Sequence, residues 1–205
     1  MSQAASPTEV QPNPAVYNEG AMSFLASRRS RPAKTLMAPA PDRAALEPIL
    51  TAALRVPDHG KLEPWRLIVL TRPALERLAE EARAYAEAQG FAPEIAAKGI
   101  GQFADSPLAV VAVHVPRPTD KVPEIEQVLS AGALCLGLVN AALASGWGAA
   151  WLTGWVAHDR GFAGPAFDLA PGEWVAGIVH IGTEKSAPPE RPRPQTASVV
   201  RWVEA

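Results

Sequence analysis

Two periodicities of apolar and polar residues alternate along this chain. Met22, Phe24 and Leu25 suit a short amphipathic helix from about Asn18 to Arg28. Pro32 ends that stretch, because proline has no backbone N–H to continue a helix. Leu46, Ile49, Leu50 and Ala53 then recur at helical spacing behind Pro41 and Asp42, which predicts a second helix to about Leu54 with Asp42 as its cap. Arg66-Leu-Ile-Val-Leu70 reads as a strand. Pro73 to about Gln89 reads as a third helix that turns Leu75, Leu78, Ala82 and Tyr85 inward. From Phe91 to Asp105 the pattern predicts only a short helix and a mobile connection. Leu108–Val115 is apolar on both faces, as an interior strand must be, and His114 within it is expected to be a satisfied core or strand-end histidine.

The longest apolar stretch comes next. Pro123 suits the first turn of a helix, with Glu124 and Glu126 near its positive end. No charged residue occurs from Val128 to Ala157. Length alone would suit a membrane. Ser130, Asn140 and Ser145 interrupt the run, Gly146 and Gly148 break it, and no basic flank precedes it. The expectation is therefore a buried central helix, with no membrane partner. Ala149–Gly154 reads as extended, His158–Leu169 as a short helix, and Trp174–Ile181 as another apolar strand closed by Gly182 and Thr183. Val199–Val203 is apolar enough to pack on its own subunit or on another.

Composition narrows the class. Apolar residues make up 48% of the chain, which allows a sizeable core, and the net charge is only −2. No basic run offers a surface for nucleic acid. Cys135 is the only cysteine, so no internal disulfide or multi-cysteine metal site can form. Met1–Pro14 lacks the basic start and apolar run of a secretory signal. The expectation is a flexible tail over residues 1–17, one domain over 18–205, and a cytoplasmic setting.

Candidate chemistry concentrates in a few places. The loop Arg55-Val-Pro-Asp-His-Gly-Lys-Leu-Glu-Pro-Trp65 joins a helix to a strand. Arg55 offers a planar fork of donors and His59 a ring that donates or accepts near neutral pH. Asp58 could equally cap a turn, and the prolines could merely mark element ends. Arg28, Arg29 and Ser30 suit an anion, since guanidinium groups make paired hydrogen bonds to phosphate oxygens. They also suit a solvated helix end balancing the dipole. Trp151 and Trp155 flank Thr153 and could face a planar ligand or simply pack a strand. Arg191 and Arg193 share one face if the backbone is extended, and so can reach one anion; a soluble proline-rich tail reads the same way.

Several of these pieces, in this order, resemble the nitroreductase family of FMN-dependent oxidoreductases, and within it the small subgroup of YdjA-type proteins. They are Arg28-Arg29-Ser30, Arg55 to His59 with Pro64-Trp65, Ser130-Ala-Gly132, Trp151-Leu-Thr-Gly154, Gly182-Thr183 and the late arginine pair. The resemblance covers most of the chain after about residue 20. It implies an α+β fold with a mixed, mainly antiparallel sheet flanked by helices, and an intertwined homodimer with FMN at the subunit interface. By the same resemblance Arg28, Arg29 and Ser30 hold the FMN phosphate and ribityl oxygens. Arg55 and His59 contact the flavin, with His59 supplied by the other subunit. Trp151, Leu152 and Thr153 line the ring, and Arg191 or Arg193 completes the phosphate site. Ala141–Gly146 falls where the subgroup has been linked to the nicotinamide cofactor. One departure from the wider family is the loop Asp58–Glu63, where many members carry serine and asparagine.

The implied activity is transfer of hydride from NADH or NADPH through FMN to an electron-poor small molecule, a nitroaromatic or quinone, by a ping-pong cycle. No catalytic triad, metal cluster or phosphate-binding glycine loop is evident in the sequence, which fits chemistry carried by a cofactor. The alternative is an FMN carrier or sensor without significant turnover.

Overall fold

The computed structural model describes residues 15–204. The expected tail over residues 1–17 lies mostly outside them. Five strands form one sheet: β1 (Leu36–Met37), β2 (Trp65–Leu70), β3 (Ala109–His114), β4 (Gly148–Leu152) and β5 (Trp174–Glu184). Strand β5 has the most neighbours. β3 runs along one side of it, with β2 beyond, β4 runs along the other, and β1 pairs with its last residues, Thr183 and Glu184. Every pairing is antiparallel, so the parallel component of the expected mixed sheet is not found among the described residues.

Eight helices are described: α1 (Glu19–Ser27), α2 (Arg43–Ala53), α3 (Arg72–Ala88), α4 (Pro93–Ala104), α5 (Glu124–Ala144), α6 (Trp155–His158), α7 (Arg160–Ala166) and α8 (Thr196–Val199). Their starts follow the expected chemistry. The Asn18 side chain accepts from Ala21 N–H, and Asp42 accepts from Ala45 N–H at 2.8 Å.

Alternation along β3 explains why its sequence is apolar throughout. Ala109, Val111 and Val113 pack with Leu75, Leu78, Phe103 and Phe162 on one face. Val110 packs with Leu46, Ile49, Leu134 and Leu138 from α2 and α5 on the other. The sheet is thus covered by α3, α4, α6 and α7 on one side and by α2 and α5 on the other. Cys135 sits among Ala112, Ala131 and Ala176, and burial pushes its thiol up to about 12.

Three expectations are revised. Residues 91–105 contain the 12-residue helix α4 in place of a short helix and a mobile connection. Its exposed face carries Glu94, Ile95 and Lys98, while Phe103 is fully buried; the polar outer face diluted the apolar signal. The helix expected over His158–Leu169 is instead two short pieces, α6 and α7, divided at Asp159, whose carboxylate caps α7 through Gly161 N–H. His114 is fully buried and stacked on Trp174 at 4.9 Å between ring centroids, yet neither ring nitrogen has a hydrogen-bond partner in the protein. It is a core histidine, but not a satisfied one, and burial lowers its pKa.

Candidate functional site

The anion-type residues converge at the end of α1. Arg28 caps that helix, donating its backbone N–H to Phe24. Arg31 N–H donates to the Ala149 carbonyl at 2.8 Å, which ties the arginine segment to the edge of β4. Arg193 returns from the C-terminal segment, with a guanidinium nitrogen 3.5 Å from the Arg28 carbonyl and 3.2 Å from Glu190. The Nε atoms of Arg28 and Arg29 are buried and have no partner. Desolvation, followed by the charges of Arg193 and Arg31, lowers the Arg28 pKa. A half-buried cluster of like charges with orphaned donors fits an anion such as phosphate. Arg191 is not drawn in: its recorded bond is from its backbone N–H to Glu190, and its side chain is exposed. Ser30 is exposed beside the cluster.

The residues read as candidates for a planar ligand stand at the end of β4. Leu152 lines two adjoining hollows of about 350 and 470 Å³, and Thr153 lines the second. Both hollows share Lys98 and Gln102 from α4, and Lys34, just past the arginine segment, borders the first. Trp155 closes the second, its ring stacked with Tyr85 and its indole N–H donated to the Ile95 carbonyl at 3.0 Å. Gly154 turns the chain out of β4 with φ of 116°, a conformation that side chains with a Cβ rarely adopt.

Trp151 does not join Leu152 in lining these hollows. Alternation sends its side chain to the opposite face, the one on which Ala149 packs against α5. A β-bulge explains its seat. The β3–β5 register slips between Ala112 and Val113, so Ala176 is an extra residue on β5. The Trp151 indole N–H donates to the Ala176 carbonyl at 3.3 Å, and the ring lies directly on Gly177. A Cβ on Gly177 would stand 2.0 Å from the indole nitrogen, so no other residue leaves room for it.

The loop holding Arg55 and His59 lies elsewhere on the chain. Asp58 organises it: its carboxylate accepts from Leu62 N–H at 3.1 Å and Glu63 N–H at 2.9 Å. These bonds hold Lys61 and Glu63 at φ of 53° and 48°, in the left-handed region that costs a residue with a Cβ about 1 kcal/mol. Ser130 on α5 pins the loop, donating to the Pro57 carbonyl at 2.6 Å and accepting the Trp65 indole N–H at 3.1 Å. His59 Nδ1 meets Glu126 at 2.6 Å, and both line a hollow with Pro57, Leu129, Ser130 and Ala133. Arg55 is exposed and makes no side-chain bond among the described residues. The hollow at His59 shares no lining residue with those at Leu152 and Thr153. The two groups of candidate residues therefore stand apart on the chain. Ala141–Gly146 ends α5 without a charged residue, and Ala142 is fully buried, so its side chain is closed to a ligand.

Lys98, Gln102 and Glu126 were missed by reading the sequence. Lys98 and Gln102 lay in a stretch whose helix was unclear, and Glu126 was assigned only to the helix dipole. A helical reading of 93–104 would have placed Lys98 and Gln102 on one face, four residues apart.

Comparison with known proteins follows the same outline. The family model described as "Nitroreductase family" matches residues 25–183. A Haemophilus influenzae protein, provisionally named an NAD(P)H nitroreductase, is 37% identical over 166 residues, spanning 80% of this chain and 88% of its own. The provisionally named NAD(P)H nitroreductase YdjA of Escherichia coli is 31% identical over 163 residues, spanning 80% and 87%. Among solved structures, a nitroreductase-like protein from Bacillus cereus superposes with a TM-score of 0.74 at 22% identity, over 94% of this chain and 100% of the other. A nitroreductase-type protein from Desulfovibrio desulfuricans, solved in complex with FMN, superposes with a TM-score of 0.69 at 18% identity, over 93% and 100%. The antiparallel sheet with helices on both faces, and a family match that runs from Leu25 to Thr183, lead to one assignment: this chain belongs to the nitroreductase family.

Proposed function

We propose that this protein is an FMN-dependent oxidoreductase that passes hydride from NADH or NADPH to an electron-poor small molecule, such as a nitroaromatic or quinone, in a ping-pong cycle. The observation that carries this reading is the cluster of Arg28, Arg29 and Arg193, with orphaned buried donors, bonded through Arg31 to the strand whose end walls the Leu152 and Thr153 hollows. It is the arrangement an elongated cofactor with a phosphate at one end and a planar ring at the other requires. When bound, FMN supplies the acceptance and donation of hydride.

The chain's own residues bind and orient. Arg28, Arg29 and Arg193 hold the phosphate, with Ser30 beside them as a neutral donor. Leu152 and Thr153 back the ring, and Lys98 places a positive charge next to that wall, where it stabilises negative charge on a reduced ring. The relatives' names and the loop Asp58–Glu63 support a place in the YdjA-type subgroup.

The reading includes a homodimer that works in the cytoplasm. Its support is that His59 and Thr153 line separate hollows, so that a second copy would complete the site with its own His59. Ile125, Leu129 and Leu136 also form an exposed apolar stripe along α5, and Met22, Leu25, Trp202 and Val203 are uncovered by their own chain. Packing of residues 199–203 on their own subunit, one of the two expectations, is not seen.

The test is the visible spectrum after FMN addition and desalting, followed by anaerobic NADH and NADPH. A retained flavin that bleaches, then recovers with a quinone or nitroarene, is the expected result. A retained flavin that never bleaches identifies a carrier or sensor, and failure to retain FMN overturns the cofactor.

A further inference from the structure

Gln102 leaves α4 and spans the gap to β4. Its amide N–H donates to the Thr153 carbonyl at 2.7 Å, and its amide oxygen faces Nε2 of His180 at 3.4 Å. His180, from β5, is fully buried, and its Nδ1 lies 2.9 Å from the Ser106 hydroxyl. Ser106 follows α4 and is also buried. Three segments of the chain thus converge behind the wall of the candidate cofactor hollow.

The proton positions follow from elimination. The short bond to Thr153 fixes which end of the Gln102 amide is the donor, so its oxygen must face His180. Burial keeps His180 neutral, pushing the ring down to about 4, and a neutral ring carries one proton. A lone pair on Nε2 would oppose the lone pairs of the Gln102 oxygen, so the proton belongs on Nε2. Nδ1 then needs a donor. The Ser106 hydroxyl is 2.9 Å from both Nδ1 and the Leu108 carbonyl. That carbonyl is already satisfied by Ile181 N–H at 3.0 Å, whereas Nδ1 has no other donor among the described residues, so the buried ring nitrogen is the acceptor that needs the hydroxyl proton. Every bond in the series points the same way, from Ser106 through His180 and Gln102 to Thr153.

A planar trans peptide has its C=O and N–H on opposite sides. Anchoring the Thr153 carbonyl on Gln102 turns the Gly154 N–H away from α4. Gly154, at a φ of 116°, has no Cβ to resist rotation of this peptide, so the anchor must come from elsewhere. We propose that Gln102 is a positioning residue that, backed by His180 and Ser106, fixes the Thr153–Gly154 peptide at the ring edge of the cofactor; its catalytic meaning rests on the FMN reading above.

Gln102→Leu keeps the volume and removes both bonds, and Ser106→Ala loosens the series from its far end. Amide hydrogen exchange on the flavin-free protein reads the anchor directly. Ala157 and His158 N–H donate to the Gly154 carbonyl, so their exchange in Gln102→Leu should rise at least tenfold while exchange in β3 stays unchanged. On the FMN-loaded protein, the same variant should shift the flavin absorption band and slow flavin reduction by NAD(P)H about tenfold, with the FMN Kd changed less than threefold. Ser106→Ala should move both readouts in the same direction by a smaller amount. Unchanged exchange overturns the anchor. Raised exchange with an unchanged spectrum and reduction rate overturns the positioning role. Failure of the wild type to retain FMN overturns the cofactor reading and the positioning role with it, while the exchange comparison still decides the anchor. Nitrogen NMR of His180 should show the Nε2-protonated tautomer, and the Nδ1-protonated form would break the series.

Discussion

His59 Nδ1 lies 2.6 Å from a carboxylate oxygen of Glu126, a bond that joins the loop after α2 to the first turn of α5. Both side chains are about half exposed in the single chain, and a bond between exposed partners contributes at most about 1 kcal/mol to stability. On the proposed FMN reading, the bond aims the His59 ring. Glu126→Gln should therefore leave the urea midpoint nearly unchanged and weaken FMN binding by about threefold to fivefold, the equivalent of roughly 1 kcal/mol. Fluorescence titration of FMN beside a urea melt checks both halves.

The arginine cluster makes a different demand. On the proposed FMN reading, Arg28→Ala or Arg193→Ala removes a charge-assisted contact to phosphate, each worth about 1.5–3 kcal/mol. The Kd for FMN should rise by about tenfold to a hundredfold, while the Kd for riboflavin, which lacks the phosphate, should barely move. Stability of the flavin-free protein should hold or improve, because neighbouring positive charges already lower the Arg28 pKa. A parallel loss of FMN and riboflavin affinity would place the phosphate elsewhere.

Acid should unfold this protein through its buried histidines. Burial holds His180 at about 4 in the folded state, below the ordinary histidine value of 6.5. The unfolded chain therefore binds the extra proton first. The stability tied to this ring is complete above pH 6.5 and falls as pH drops towards 4. The loss is about 2 kcal/mol at pH 5 and approaches about 3 kcal/mol below pH 4. His114 adds to the loss with the same sign. Urea melts between pH 7.5 and pH 4.5 measure the slope, and a flat profile would contradict the burial of both rings.

Gly177→Ala should be costly despite its size. The added carbon must displace the Trp151 ring, an overpacking of about 1–3 kcal/mol, and it breaks the indole bond to Ala176. Tryptophan fluorescence should shift with the loss of stability. Gly132→Ala, in the interior of α5 where no atom lies within 4 Å of the new carbon, is the comparison and should stabilise the single chain by about 0.5–1 kcal/mol, because alanine favours a helix over glycine.

Much of this architecture was legible in the residues. Asp42 signalled a helix start, and the doubly apolar run at 109–114 signalled a strand covered on both faces. Asp58 capped its turn as its type suggests. The candidate site was legible in pieces: the sequence singled out Arg28 and Arg29, whose Nε atoms are buried without a partner, and Leu152-Thr153, which line a hollow at the end of β4. What escaped was information that no local pattern contains. The bulge at Ala176 decides where Trp151 sits, yet it arises from register between distant strands. Lys98 and Gln102 acquire meaning only when α4 is laid beside β4. Trp151 shows the limit of reading neighbours as partners, since alternation separates it from Leu152 by the thickness of the sheet.

Strand β5 touches three others, and each pairing fixes a different part of the molecule. β1 leads back to the arginine segment, β4 ends at the wall of the Leu152 and Thr153 hollows, and β3 carries the core. A one-residue slip in a strand exchanges its two faces. An insertion or deletion within 177–182 would thus move the anion cluster, the wall and the core in one event. Changes in length are therefore expected to be tolerated in connections such as 116–122 and not in β5, which is the fixed coordinate of the molecule, while α4 packs on it as an adjustable one.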